Sequence, residues 1–153
     1  MDLTDSVVSQ YPHTRIPAFP HMATLRETLR LRAPAAAVWD AVRDVGELHR
    51  RLVPGFVTEA RLEQGARVIT FVNGITVREE IVSVDDGSRR LAYAIPRGRF
   101  LHYQGTVDVE EDGAGSRLVW TVDLLPDEAA DGIRAMMHQG ADVMRATLDG
   151  ASS

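Results

Sequence analysis

The sequence predicts an α+β domain in which a seven-stranded, curved antiparallel sheet wraps one long C-terminal helix. Apolar residues alternate with polar ones from Val57 to Asp123, the pattern of half-buried strands. Asn73-Gly74, Asp86-Gly87 and Asp112-Gly113 punctuate that stretch as turns, which makes it an antiparallel meander. From about Asp127 to Asp149 the apolar period lengthens to that of a helix, with Ile133, Met136, Met137, Gly140, Met144 and Leu148 on one stripe. At 153 residues the chain has the size of one domain. Such a domain buries about 68–70% of its unfolded surface, enough for a core with a pocket in it.

Each element has its own reason. Residues 1–23 carry Pro12, Pro17 and Pro20 and no period, so they are expected to form an extended or mobile arm, with the folded domain spanning 24–150. Thr24 to Leu31 alternates as a first strand. Pro34 suits the first turn of a helix, and Val38, Ala41, Val42 and Val45 recur at helical spacing. Gly46 interrupts. Leu48 and Leu52 mark a second short helix, which Pro54-Gly55 ends, so two short helices precede the second strand. Six strands are expected at 57–63, 67–72, 75–84, 89–95, 103–111 and 116–124. Asp127 after Pro126 reads as the N-cap of the closing helix.

Composition excludes several chemistries. All 17 basic residues are arginine against 22 acidic ones, a net charge of −5, which repels a nucleic-acid backbone on average. Without cysteine there are no disulfides or thiolate nucleophiles, and without lysine no side-chain Schiff base. His13, His21, His49, His102 and His138 form no zinc-type pair, and no nucleophile elbow or phosphate loop is present. No metal and no cofactor is therefore expected, and non-covalent proton transfer by Glu, Asp, His or Tyr is the chemistry that remains. No stretch is long and apolar enough for a membrane span, and the first ten residues lack a secretory pattern, so a cytoplasmic location is expected.

The element order, with the stretches APAAAVWDAVRDVGELHRRLVPG, VREEIVSVDDGSRRLAYAI and GSRLVWTVDLLP, resembles the START/birch-pollen-allergen (SRPBCC) superfamily. Within it the chain is most similar to the bacterial polyketide cyclase/dehydrase and lipid-transport group. The resemblance covers residues 24–149 and implies a helix-grip fold with a cavity between the concave sheet and the C-terminal helix. It implies a small hydrophobic partner, and leaves enzyme and carrier both open, because one scaffold serves both.

Alternation then assigns the lining. On the strand from Ile75, the apolar positions Ile75, Val77 and Ile81 share a face with Glu79. A carboxylate on that face is desolvated and becomes a candidate acid or base, unless a nearby arginine pairs with it. Tyr93 with Ile95, and Tyr103, face the same way on later strands and would need polar partners. Val68 and Thr70 are placed on the lining as well. On the last strand, hydrophobicity turns Leu118, Trp120 and Val122 inward, whereas the superfamily register implies Val119, Thr121 and Asp123, and the second choice is taken here. Met136, Met137, Gly140 and Met144 face the sheet from the helix, Gly140 through close packing or as room for a ligand. His49, on the second short helix near the expected entrance, is a further catalytic candidate, and His138 is expected to be exposed. The functions in contention are a cofactor-independent cyclase or dehydratase using Glu79, Tyr93 and Tyr103, and a non-catalytic carrier or sensor of a lipid-like ligand. An interaction module has no specific support. The oligomeric state is left open.

Overall fold

The computed structural model describes residues 22–150; most of the expected N-terminal arm lies outside them. The chain runs β1 (Ala23–Leu31), α1 (Ala35–Arg43), a 3-10 turn (Val45–Glu47), α2 (Leu48–Arg51), β2 (Val57–Glu63), β3 (Ala66–Phe71), β4 (Thr76–Asp85), β5 (Arg90–Ala94), β6 (His102–Asp112), β7 (Gly115–Leu125), a 3-10 turn (Asp127–Ala129) and α3 (Ala130–Leu148). The seven strands form one antiparallel sheet in the order β1-β7-β6-β5-β4-β3-β2. The order and the two short helices before β2 match the expected helix-grip architecture.

Irregularities between Val57 and Glu59 and between Ile81 and Ser83 break the ladders of β2 and β4. Bulges of this kind bend a strand and raise its twist, which helps the sheet curl. The concave face carries Leu25, Leu29, Ile69, Leu91, Val107, Leu118 and Val122, all buried. Helix α3 turns Met137, Gly140, Ala141 and Met144 onto that core. Its C-terminal end is fixed by Asp149, whose Oδ1 accepts the Arg32 and Ala33 backbone N–H groups at 2.8 and 3.1 Å. Helix α1 buries Val38, Trp39 and Val42, and Asp86 in the β4–β5 turn holds it by accepting from Trp39 Nε1 and Arg43 Nε, each at 2.8 Å.

Three details correct the sequence reading. Pro34 is the N-cap of α1 rather than part of its first turn. Asp127 caps nothing; it opens the 3-10 turn, and α3 begins at Ala130 without a side-chain cap. On β7 the buried positions are Ser116, Leu118, Trp120, Val122 and Leu124, so Val119, Thr121 and Asp123 face outward. β7 lies between β1 and β6, and Val122 stands opposite Leu25 and Gly105 at the base of the core. On the outer face Thr121 accepts from Arg26 Nε at 3.4 Å, and Asp123 accepts from Thr24 Oγ1 at 2.6 Å. The hydrophobic pattern, which a one-residue slip would invert, decides this strand.

Candidate functional site

Between the concave sheet and α3 lies a cavity of about 880 Å³. Leu48, Leu52, Val53 and Phe56, from α2 and the loop after it, wall one end. Its exposed lining residues come from three segments: Val72, Asn73, Ile75 and Thr76 at the β3–β4 turn, Pro96 and Arg99 in the β5–β6 loop, and Gly132, Ala135 and Gln139 on α3. These segments frame the mouth.

The polar centre of the cavity is an ion pair. Arg67 Nε donates to Glu79 Oε1 at 2.7 Å, and the two residues are only 4% and 6% exposed. The register explains the meeting, because Arg67 and Glu79 are directly opposed across β3 and β4. Asn73-Gly74 sets that register: Gly74 takes the left-handed conformation, φ 88°, and Phe71 N–H bonds to Ile75 O at 2.8 Å. Arg67 Nη1 is buried and has no hydrogen-bond partner among the described residues. The Arg67 guanidinium also lies 5.4 Å from the centre of the Tyr93 ring.

Tyr93 and Tyr103 complete this centre. Trp120 Nε1 donates to the Tyr93 hydroxyl oxygen at 2.8 Å, which leaves the Tyr93 hydrogen to be donated elsewhere. Burial, followed by the negative charge of Glu79, holds the Tyr93 phenol far above its ordinary range. Tyr103 is pushed the same way by burial first, then by Tyr93 and Glu79. Both are therefore neutral at physiological pH and serve as hydrogen-bond donors rather than phenolate bases. The assembly offers donors from Arg67 and the phenols and an acceptor in the second Glu79 oxygen.

Of the residues singled out from sequence, Glu79, Tyr93, Tyr103, Val77, Ile95, Met136 and Met144 border the cavity. Others do not. Val68 and Thr70 alternate with the cavity-lining Arg67, Ile69 and Phe71, so they point to the opposite face of β3. They border a separate small recess with Glu59, Ala60, Arg61 and His49, and His49 is therefore remote from the ion pair. Val119 and Thr121 lie on the outer face. Ile81 shares the inner face but packs against the core beside the β4 irregularity. Met137 is buried in the core without bordering the cavity. Gly140 is a matter of close packing, since a Cβ there would stand 3.2 Å from Phe56 and 3.3 Å from Trp120. His138 is exposed, with Nδ1 3.4 Å from Glu27 Oε1. Sequence reasoning missed Arg67 as a cavity residue and set Trp120 aside. Arg67 was recoverable from the hairpin: it and Glu79 are equidistant from Asn73. Among the described residues no cluster of three or more His, Asp or Glu side chains could hold a metal ion. No helix described is long and apolar enough to cross a membrane.

The fold has many solved relatives. The protein XoxI from Bacillus cereus superposes with a TM-score of 0.75 at 18% identity, over 86% of this chain and 99% of that one. Ara h 8.0201 superposes with a TM-score of 0.66 at 18% identity, over 84% of this chain and 98% of that one. The Zhui aromatase/cyclase from a Streptomyces species gives 0.62 at 22% identity over 86% and 93%. At these identities the likeness establishes the fold alone. No curated protein matches the sequence. The model of one family does match, from residue 22 to residue 150, the whole of the sheet and its closing helix, and the chain accordingly belongs to the polyketide cyclase/dehydrase and lipid transport family.

Proposed function

We propose that this protein binds a small, largely apolar molecule in the cavity, holds one of its oxygens on Arg67, and uses Glu79 to move a proton on it. The observation that carries this reading is the buried, unpartnered Arg67 Nη1 at the cavity wall. A buried donor left without a partner is costly, and a ligand oxygen would satisfy it. The apolar walls would supply most of the affinity and the few polar groups the orientation.

The chemistry that fits is cyclisation or dehydration of a carbonyl compound without a cofactor. Glu79 would take a proton from the carbon beside a carbonyl whose oxygen rests on Arg67. The guanidinium and a neutral phenol would stabilise the enolate, which would attack a second carbonyl carbon of the same molecule. The new alkoxide would recover the proton, and loss of water would follow. The family description and the aromatase/cyclase among the structural relatives support this direction. A carrier remains the competing reading, favoured by the Arg67 contact that already engages Glu79.

Native mass spectrometry of freshly expressed protein, with extraction of any bound compound, tests the binding. The expected result is a retained apolar compound with at least one oxygen. Replacing both charges, as Arg67→Gln with Glu79→Gln, should weaken that compound by about 10- to 100-fold, the worth of a charged hydrogen bond. Unchanged affinity would overturn the assignment of Arg67. Incubation with the purified compound then separates the readings: loss of water or a ring closure identifies an enzyme, and return of the unaltered compound a carrier.

A further inference from the structure

Aromatic residues are scarce in this chain, four Phe, three Tyr and two Trp, yet six of them line the cavity: Phe56, Phe71, Tyr93, Phe100, Tyr103 and Trp120. Phe56 and Phe71 meet edge-on with centroids 5.5 Å apart, and Phe100 and Tyr103 are tilted at 5.0 Å. A saturated chain gains only buried area from such walls. A flat unsaturated ring system gains stacking and edge contacts as well.

The polar end is equally selective. Arg67 and Glu79 cancel each other at 2.7 Å, and burial keeps both phenols protonated. The buried inner end around this pair thus carries no net charge, Arg99 standing at the exposed mouth, while offering a guanidinium donor and a carboxylate acceptor side by side. A ligand carboxylate would place a second negative charge beside Glu79, with one guanidinium to serve both in a poorly solvated site. A ketone next to a hydroxyl meets both groups: the carbonyl oxygen accepts from Arg67 Nη1, and the hydroxyl donates to the free Glu79 oxygen.

We propose that the ligand is a flat, unsaturated ring compound whose inner end is an uncharged hydroxy-carbonyl pair, and that the Arg67–Glu79 pair discriminates against carboxylates. This rests on the cavity being the ligand site. Trp120 on the cavity wall gives the readout, by quenching of its fluorescence in titrations of the full chain with three probes. Hydroxyacetonaphthone carries the ketone–hydroxyl pair, hydroxynaphthoate has a carboxylate in place of the acetyl group, and palmitate is a saturated chain. The ketone is expected to bind about tenfold or more tightly than either of the others. Glu79→Gln, which leaves Arg67 as an uncompensated cation, should reverse the order of the two naphthalenes. Wild-type protein that binds hydroxynaphthoate or palmitate as tightly as the ketone would overturn the proposal and leave the cavity reading intact, and this comparison needs no variant to fold. Failure of all three probes and of the neutral dye Nile red to bind would overturn the cavity reading and the proposal with it.

Discussion

Tyr93 shows how single residues build the site. It stands opposite Gly105 across β5 and β6, and a Cβ at 105 would overlap its ring, so the ring lies in space that only glycine leaves. Trp120 then fixes the hydroxyl from β7, the strand beyond β6. Burial of two neutral phenols has a consequence for stability. An unfolded tyrosine loses its proton near pH 10, whereas Tyr93 and Tyr103 keep theirs to higher pH because burial and the Glu79 charge oppose the phenolate. Above pH 10 the folded state thus binds more protons than the unfolded one. The contribution of these residues is complete below pH 10 and declines as pH climbs, by about 1.4 kcal/mol per pH unit for each. The chain has no lysine to blur that window. Urea titrations from about pH 9 to 11 should show the fall, and Tyr103→Phe should roughly halve its slope; a flat profile would contradict the burial of both phenols. At this scale the sequence was partly legible. Glu79, Tyr93 and Tyr103 follow from alternation within their own strands. The partner of Glu79 does not, because alternation says nothing about which strand lies alongside and in what register.

Register is the property of elements, and β7 is where it was misjudged. Its own pattern, Leu118-Val119-Trp120-Thr121-Val122, contains two β-branched or apolar series, and the larger, more apolar one is buried. The opposite choice came from the strand register of the superfamily, and a likeness of that kind does not fix a register to one residue. Turn chemistry was more dependable: Asn73-Gly74 set the β3–β4 hairpin and with it the Arg67–Glu79 contact. Helix ends were less so, since Asp127 opens a 3-10 turn and α3 begins only at Ala130, without a side-chain cap. The absence of cysteine makes the register of β7 directly testable. Thr121→Cys on the outer face should react with a maleimide in the native protein, and Val122→Cys, fully buried in the core, should react only after unfolding. Rapid native labelling of Val122→Cys, with Thr121→Cys protected, would require the alternative register.

For the molecule as a whole, the fold was legible and the ligand was not, and the reason is physical. Sheet, hairpins and helix follow from apolar periodicity, which records what is buried against the chain itself. A cavity records what is buried against something else, and the same apolar lining serves a carrier or an enzyme. The cavity of about 880 Å³ is walled largely by apolar side chains, so a molecule that fills it adds dispersion contacts to those walls and is removed from water. Such a molecule binds the folded chain and not the unfolded one. At a concentration of about 100 times its dissociation constant it should add about 2.7 kcal/mol of stability. For a domain of this length that corresponds to a rise in Tm of roughly 5–11 °C, at about 2–4 °C per kcal/mol. The gain should be accompanied by slower amide hydrogen exchange in the segments that frame the mouth, around Asn73, Arg99 and Ala135. A compound that binds by mass spectrometry yet shifts neither Tm nor exchange in those segments would be seated outside the cavity, and the grip of sheet and helix would then need another purpose.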